Sequence, residues 1–260
     1  MIGALRVIRA AARLQIAQLN VNNFMLFTLV LQPFFVAVTA MFMLRFRSDF
    51  DPLYVVVGAG LSGLWSAALF EGTWAIQSER WQGTLELVVA SPAPMLLVLG
   101  GRMAGSMVFA LLSMAVSYVV GAWLFGYQLI VRDPIGFVVA LVFALLALWS
   151  MAMLFAPLSI LGRVMARFLA IFEYPVYILG GFLFPILLLP TWSRPFSYVL
   201  PPYWAAVALH GTAAGDLDAP QLLNIVALLT VSAVATVLIA RGLVLLALKR
   251  ARTAGTLALS

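Results

Sequence analysis

The sequence has no cysteine and one histidine, His210, in 260 residues. Disulfides and thiolate metal sites are thereby excluded, and a lone imidazole leaves little room for histidine-based metal chemistry. Charge is also scarce. Asp, Glu, Lys and Arg together make up 9% of the chain, whereas a soluble domain usually carries about a quarter. In their place stand 65% hydrophobic residues and a mean hydropathy of +1.11. No soluble core of this size hides that much apolar side chain, so the expected solvent is lipid and the expected unit is one membrane domain. The net charge of +6 comes from basic residues placed in short segments between apolar runs. That distribution reads as membrane orientation and gives no nucleic-acid-binding patch.

A bilayer core of ~30 Å is crossed by ~20 apolar helical residues. Six runs meet that length, at about 24–44, 53–76, 103–125, 134–156, 168–189 and 222–248. Internal prolines such as Pro33, Pro175 and Pro185 are compatible with membrane helices. The first run starts too late and runs too long for a signal peptide, and no small-residue cleavage site follows it, so it reads as a retained span. With the N-terminus inside, eleven of the fifteen basic residues fall on the inner side: Arg6, Arg9, Arg13, Arg80, Arg102, Arg163, Arg167, Arg241, Lys249, Arg250 and Arg252. Arg45, Arg47, Arg132 and Arg194 fall outside. The bias places both termini in the cytoplasm. The expected fold class is therefore an all-α integral membrane protein with six transmembrane helices, in a single domain over residues 1–260.

Three segments between the runs carry information. Residues 1–22 are amphipathic: Leu5, Ile8, Ala12, Ile16 and Leu19 share one helical face, and Arg6, Arg9, Arg13 and Asn20 share another. This pattern fits a helix lying in the membrane interface, with a plain polar leader as the alternative. Residues 77–102, QSERWQGTLELVVASPAPMLLVLGGR, are too polar to span and hold a break at Pro92 and Pro94; a short helix is expected over 78–90. Residues 190–220 combine Pro190, Pro195, Pro201 and Pro202 with Trp192, Tyr198, Tyr203 and Trp204. The prolines oppose a seventh span and the aromatics favour the headgroup zone, so short re-entrant helices are expected there.

Catalytic patterns are weak. Gly60-Leu61-Ser62-Gly63 has the Gly-x-Ser-Gly form of rhomboid-type intramembrane serine proteases, but His210, its one conceivable base, lies in a different segment. A run of small residues on a membrane helix more simply permits close packing. The same applies to Gly101 and Gly105, four apart at the head of the third run. Glu71 and Glu173 are the acids placed within apolar runs. Intramembrane charges mark functional sites by default, yet both fall near the inner ends of their runs, where snorkelling or pairing with Arg102, Arg163 or Arg167 is the plainer explanation. No Gly-Lys-Ser/Thr phosphate loop is present, so the chain does not hydrolyse ATP by that route.

The most specific signal lies in the inner loop. Glu79-Arg80-x-x-Gly83-Thr84-Leu85-Glu86, then Ser91-Pro92, then Gly101-Arg102, resembles the first cytoplasmic loop of type-2 class ABC exporter permeases, the short permeases of bacterial drug, antibiotic and polysaccharide export. An interfacial helix before the first span, both termini inside, and the proline-rich segment with Pro190, Pro195 and Pro201-Pro202-Tyr203 extend the resemblance along nearly all of the chain.

The resemblance implies a non-enzymatic permease subunit of an ATP-driven exporter, in the cytoplasmic (inner) membrane of a prokaryote. It would work as a dimer with a second copy or a related permease. Each permease would dock a cytoplasmic ATP-binding subunit, which would supply the ATP and Mg chemistry; no cofactor, metal or nucleic acid is expected in this chain. The loop over 78–92 would be the coupling helix, with Glu79, Arg80, Gly83, Thr84, Leu85 and Glu86 as coupling residues. Trp81 joins them as the anchor, since Trp is favoured at interface hot spots. The family's permease interface and substrate path would draw on Gly58, Gly60, Gly63, Ser66 and Phe70 of the second run and on Tyr174, Gly180, Gly181, Phe182 and Phe184 of the fifth. A competing expectation is an ion-driven secondary transporter or channel with no ATPase partner.

Overall fold

Long apolar runs punctuated by proline and glycine become helices here, and no strand occurs among the described residues. The structure, a computed structural model, describes residues 2–21, 23–44, 51–84, 87, 93–126, 128–161, 171 and 173–254. In chain order the helices are α1 (Ile2–Val21), α2 (Asn23–Leu44), α3 (Pro52–Trp81), α4 (Met95–Leu124), α5 (Pro134–Leu161), α6 (Glu173–Leu179), a 3-10 turn at Ile186–Leu188, α7 (Arg194–Val199), α8 (Pro201–Ala214) and α9 (Ala219–Ala254).

Four helices hold stretches long and apolar enough to cross a membrane: Pro52–Phe70 in α3, Met95–Trp123 in α4, Pro134–Leu158 in α5 and Ala219–Leu246 in α9. The first expected span corresponds to α2, whose stretch Pro33–Met43 is apolar but shorter. The fifth begins on residues 168–170 and 172, which lie outside the described residues.

Several boundaries differ from the sequence expectation. α3 does not stop at Ile76 but continues to Trp81, so residues 78–81 extend this helix and do not start a separate one. α4 begins directly after Pro94, eight residues before Met103, because Met95–Gly101 is apolar enough to join the helix. α5 runs through Pro157 to Leu161. In the fifth run α6 stops at Leu179, and the chain turns at Gly180 and Gly181, where Gly181 has φ +66°. That left-handed turn ends a helix expected to reach residue 189. Pro201 and Pro202 stand at the first positions of α8, where proline's missing N–H costs nothing.

α3 is the central helix. In its membrane-length stretch 83% of residues are buried within the chain, against 11% for α9. α3 packs on α2, α4, α5 and α8, while α9 lies chiefly on α5, with a smaller contact to α8, and leaves most of its surface outward. Because lipid offers no apolar contrast, helices here gain from close fit. A side chain at Gly60 would meet Met114 Cγ of α4 at 2.4 Å, and one at Gly63 would meet Pro33 Cγ of α2 at 2.6 Å. Trp65, 1% exposed, packs edge-on against Phe155 of α5 with ring centroids 5.9 Å apart. α1 lies along α4: a side chain at Gly101 would meet Ile8 O at 2.5 Å, and one at Gly105 would meet Ala12 O at 2.7 Å. The two glycines four apart are thus the seat of α1.

Candidate functional site

α3 carries polar contacts at three levels, and each secures a different element. At its first turn the Tyr54 hydroxyl donates to Gly181 O at 2.9 Å. His210 of α8 stacks on the Tyr54 ring, centroids 3.6 Å apart and 5° from parallel, and its Nε2 donates to Phe182 O at 3.1 Å. This bond fixes the Nε2–H tautomer and leaves Nδ1 buried without a hydrogen-bond partner. Burial pulls the imidazole down to about 3, the hydrogen bond to Phe182 O opposing only in part. Gly58 lies directly beneath: a side chain there would fall 1.8 Å from Phe182 O. Tyr54, Gly58 and His210 together hold the break after α6.

At the middle level Ser66 Oγ donates to Glu173 Oε1 at 2.7 Å, and the Tyr177 hydroxyl donates to the same oxygen at 2.8 Å. Glu173 is 4% exposed, so α6 is pinned to α3 by a buried carboxylate. Such a group requires polar partners in an apolar interior.

At the last level Glu79 meets Arg102 of α4 in a part-buried ion pair. Arg102 is 5% exposed, and its guanidinium donates to partners on two other helices. Arg102 Nε donates to Gln15 Oε1 at 2.9 Å and Nη2 to Gln18 Oε1 at 3.1 Å, both on α1, and Nη1 bonds Glu79. The other Glu79 oxygen accepts from the Thr84 hydroxyl. Gly83, with φ +69°, permits the turn that brings Thr84 back: Thr84 N donates to Glu79 O at 2.9 Å, the bond that closes a glycine-capped helix end. One arginine therefore ties α1, α3, α4 and the start of the connection between α3 and α4.

Beyond this knot two large apolar side chains are exposed. Trp81 is 69% exposed and Leu87 71%. Trp81 is braced edge-to-face by Trp74, centroids 4.9 Å apart. The loop residues thus separate into two sets. Glu79 points inward onto Arg102 and Thr84 onto Glu79, Trp81 and Gly83 lie at the surface, and Leu85 and Glu86 lie outside the described residues, as do the side chains of Arg80 and Glu71.

Of the residues expected at a permease interface or path, Gly58, Gly60, Gly63, Ser66, Gly180, Gly181 and Phe182 are buried by the chain's own elements. Phe70 and Phe184 are half-buried, and Tyr174, 65% exposed on α6, faces outward. A cavity of about 280 Å³ opens between α5 and α9, lined by Phe143, Trp149, Leu229, Thr230 and Val234 among others; none of the expected path residues lines it. Ser62 Oγ donates to Ala59 O at 2.7 Å, and His210 turns to Phe182, so no hydrogen bond joins Ser62 to His210. Among the described residues no three of His, Asp and Glu converge as metal ligands.

Sequence reasoning missed Gln15, Gln18 and the central role of Arg102. The signal was present: two glutamines, with Gln15 on the otherwise apolar packing face of α1, demand a buried polar partner. Compared with known protein families and with curated proteins, the chain matches no family model and no curated protein.

Proposed function

We propose that the chain is the membrane-spanning permease subunit of an ATP-driven exporter of the ABC type-2 class, working as a dimer and docking a cytoplasmic ATP-binding subunit on the surface around Trp81. The observation that carries this reading is the division at the end of α3. Trp81 is exposed at the tip of a helix that runs unbroken from a candidate span, and the polar groups behind it are locked by Arg102. A docking surface needs both an apolar anchor and a stiff mount. A push on Trp81 passes into α3, the most buried helix, and through Arg102 into α1 and α4. The resemblance of the loop sequence to exporter permeases and the four membrane-length helices support the same reading. Substrate would pass on the dimer side, where α6 presents Tyr174. Both termini and the Trp81 end lie in the cytoplasm in this account.

The test is Trp81→Ala in the assembled complex reconstituted in liposomes. Loss of a buried interface tryptophan costs ~2 kcal/mol or more, so binding of the ATP-binding subunit weakens by roughly 30-fold. ATP-driven transport falls with it. Unchanged binding and transport would remove Trp81 as the anchor.

A second reading rests on Glu173. A buried carboxylate with a serine and a tyrosine on it also suits an ion-coupled transporter. It requires transport driven by an ion gradient in liposomes holding this chain alone, abolished by Glu173→Gln.

A further inference from the structure

α1 has one face committed and one face free. Ala11, Gln15 and Leu19 are buried, and Ile8 and Ala12 sit against the glycines of α4. Away from that seat, Arg6, Arg9 and Arg13 are all exposed. Their spacing of three and four residues places three guanidiniums in one row along the helix. α1 contains no acidic residue, and among the described residues no carboxylate pairs with the row. Leu5, 66% exposed, and Leu14, 52% exposed, flank it on either side. A solvated basic face has no use for flanking exposed leucines; a face set into a headgroup layer uses both, the leucines in the acyl boundary and the guanidiniums on phosphate.

We propose that Arg6, Arg9 and Arg13 form a binding row for the phosphates of anionic phospholipids. The partner is a lipid surface and not a soluble anion, because the apolar flanks gain nothing from a free phosphate. The row also has a mechanical consequence. α1 is held to α4 by Arg102, through Gln15 and Gln18, and the same guanidinium holds Glu79. Lipid bound on the outer face of α1 therefore steadies the segment that carries Trp81. This inference stands on α1 alone and does not need an ATP-binding partner.

The test is hydrogen exchange of the full chain in nanodiscs of phosphatidylcholine alone, of phosphatidylcholine mixed with phosphatidylglycerol, and of phosphatidylcholine with added inorganic phosphate. Amides of α1 exchange more slowly in the anionic discs, by on the order of fivefold for each arginine engaged, and this protection shrinks as salt is raised. Inorganic phosphate does not reproduce it. The triple variant Arg6→Gln, Arg9→Gln, Arg13→Gln loses the difference between the two lipids, and the matching triple lysine variant keeps it, which separates loss of charge from loss of fold. Equal exchange of α1 in neutral and anionic discs overturns the proposal, as does protection that survives the glutamine variant or appears with phosphate alone.

Discussion

Arg102 is the residue on which most depends. Its guanidinium is buried against a partly exposed Glu79, so removing it should cost less than the roughly 3–5 kcal/mol of a fully buried pair. Arg102→Ala should lower the thermal midpoint sharply and speed hydrogen exchange at Gln15 to Leu19 of α1. Adding Glu79→Gln to that variant should cost less than it does alone, since the two act as a pair. His210 gives a pH-dependent counterpart. Its folded pKa is depressed to about 3 from the ordinary ~6.5. The neutral form is favoured in the fold, so its contribution is complete above about pH 6.5 and is lost as pH falls from there toward 3, at up to ~1.4 kcal/mol per pH unit. The thermal midpoint of the wild type should fall more between pH 7 and pH 4.5 than that of His210→Gln, which keeps a donor for Phe182 O. Equal losses would show that His210 does not titrate with unfolding.

Among the elements, α3 and the segment after α6 teach most about what a sequence discloses. The apolar run that became α3 was plain, but its end was not: Ser78–Arg80 is polar, and polarity marks where a helix leaves an apolar medium, not where its hydrogen bonds stop. Gly83 marks the true end, through a left-handed turn. The same logic governs Gly181, which ends α6 inside a run apolar enough to be read as continuous. Glycines supplied the stops in both places. What they could not disclose is partner choice: Gly58 reads as a generic small contact until Phe182 O is found against it. Gly58→Ala tests that contact. With a side-chain atom 1.8 Å from a backbone oxygen, either α3 or the break must shift. The variant should lose folded yield, while Gly3→Ala, with open space around it, should not.

For the whole molecule, composition alone pointed to lipid, and four membrane-length helices agree. The candidate site was half legible. The loop motif drew attention to residues 79–86, yet the sequence could not separate the side chains that face inward, Glu79 and Thr84, from Trp81, which faces out. That separation depends on Arg102, sixteen or more residues further on, and on α1, more than sixty residues earlier. Long-range pairing of this kind leaves no local pattern. The central proposal is that an ATP-binding subunit acts on this chain through the Trp81 surface. The most direct measurement is purification of the tagged chain from its native membrane in a gentle detergent, with ATP hydrolysis assayed on what comes with it. An ATP-binding subunit should co-purify with the wild type and be lost from Trp81→Ala. A chain that comes out alone, with no associated hydrolysis, would contradict it.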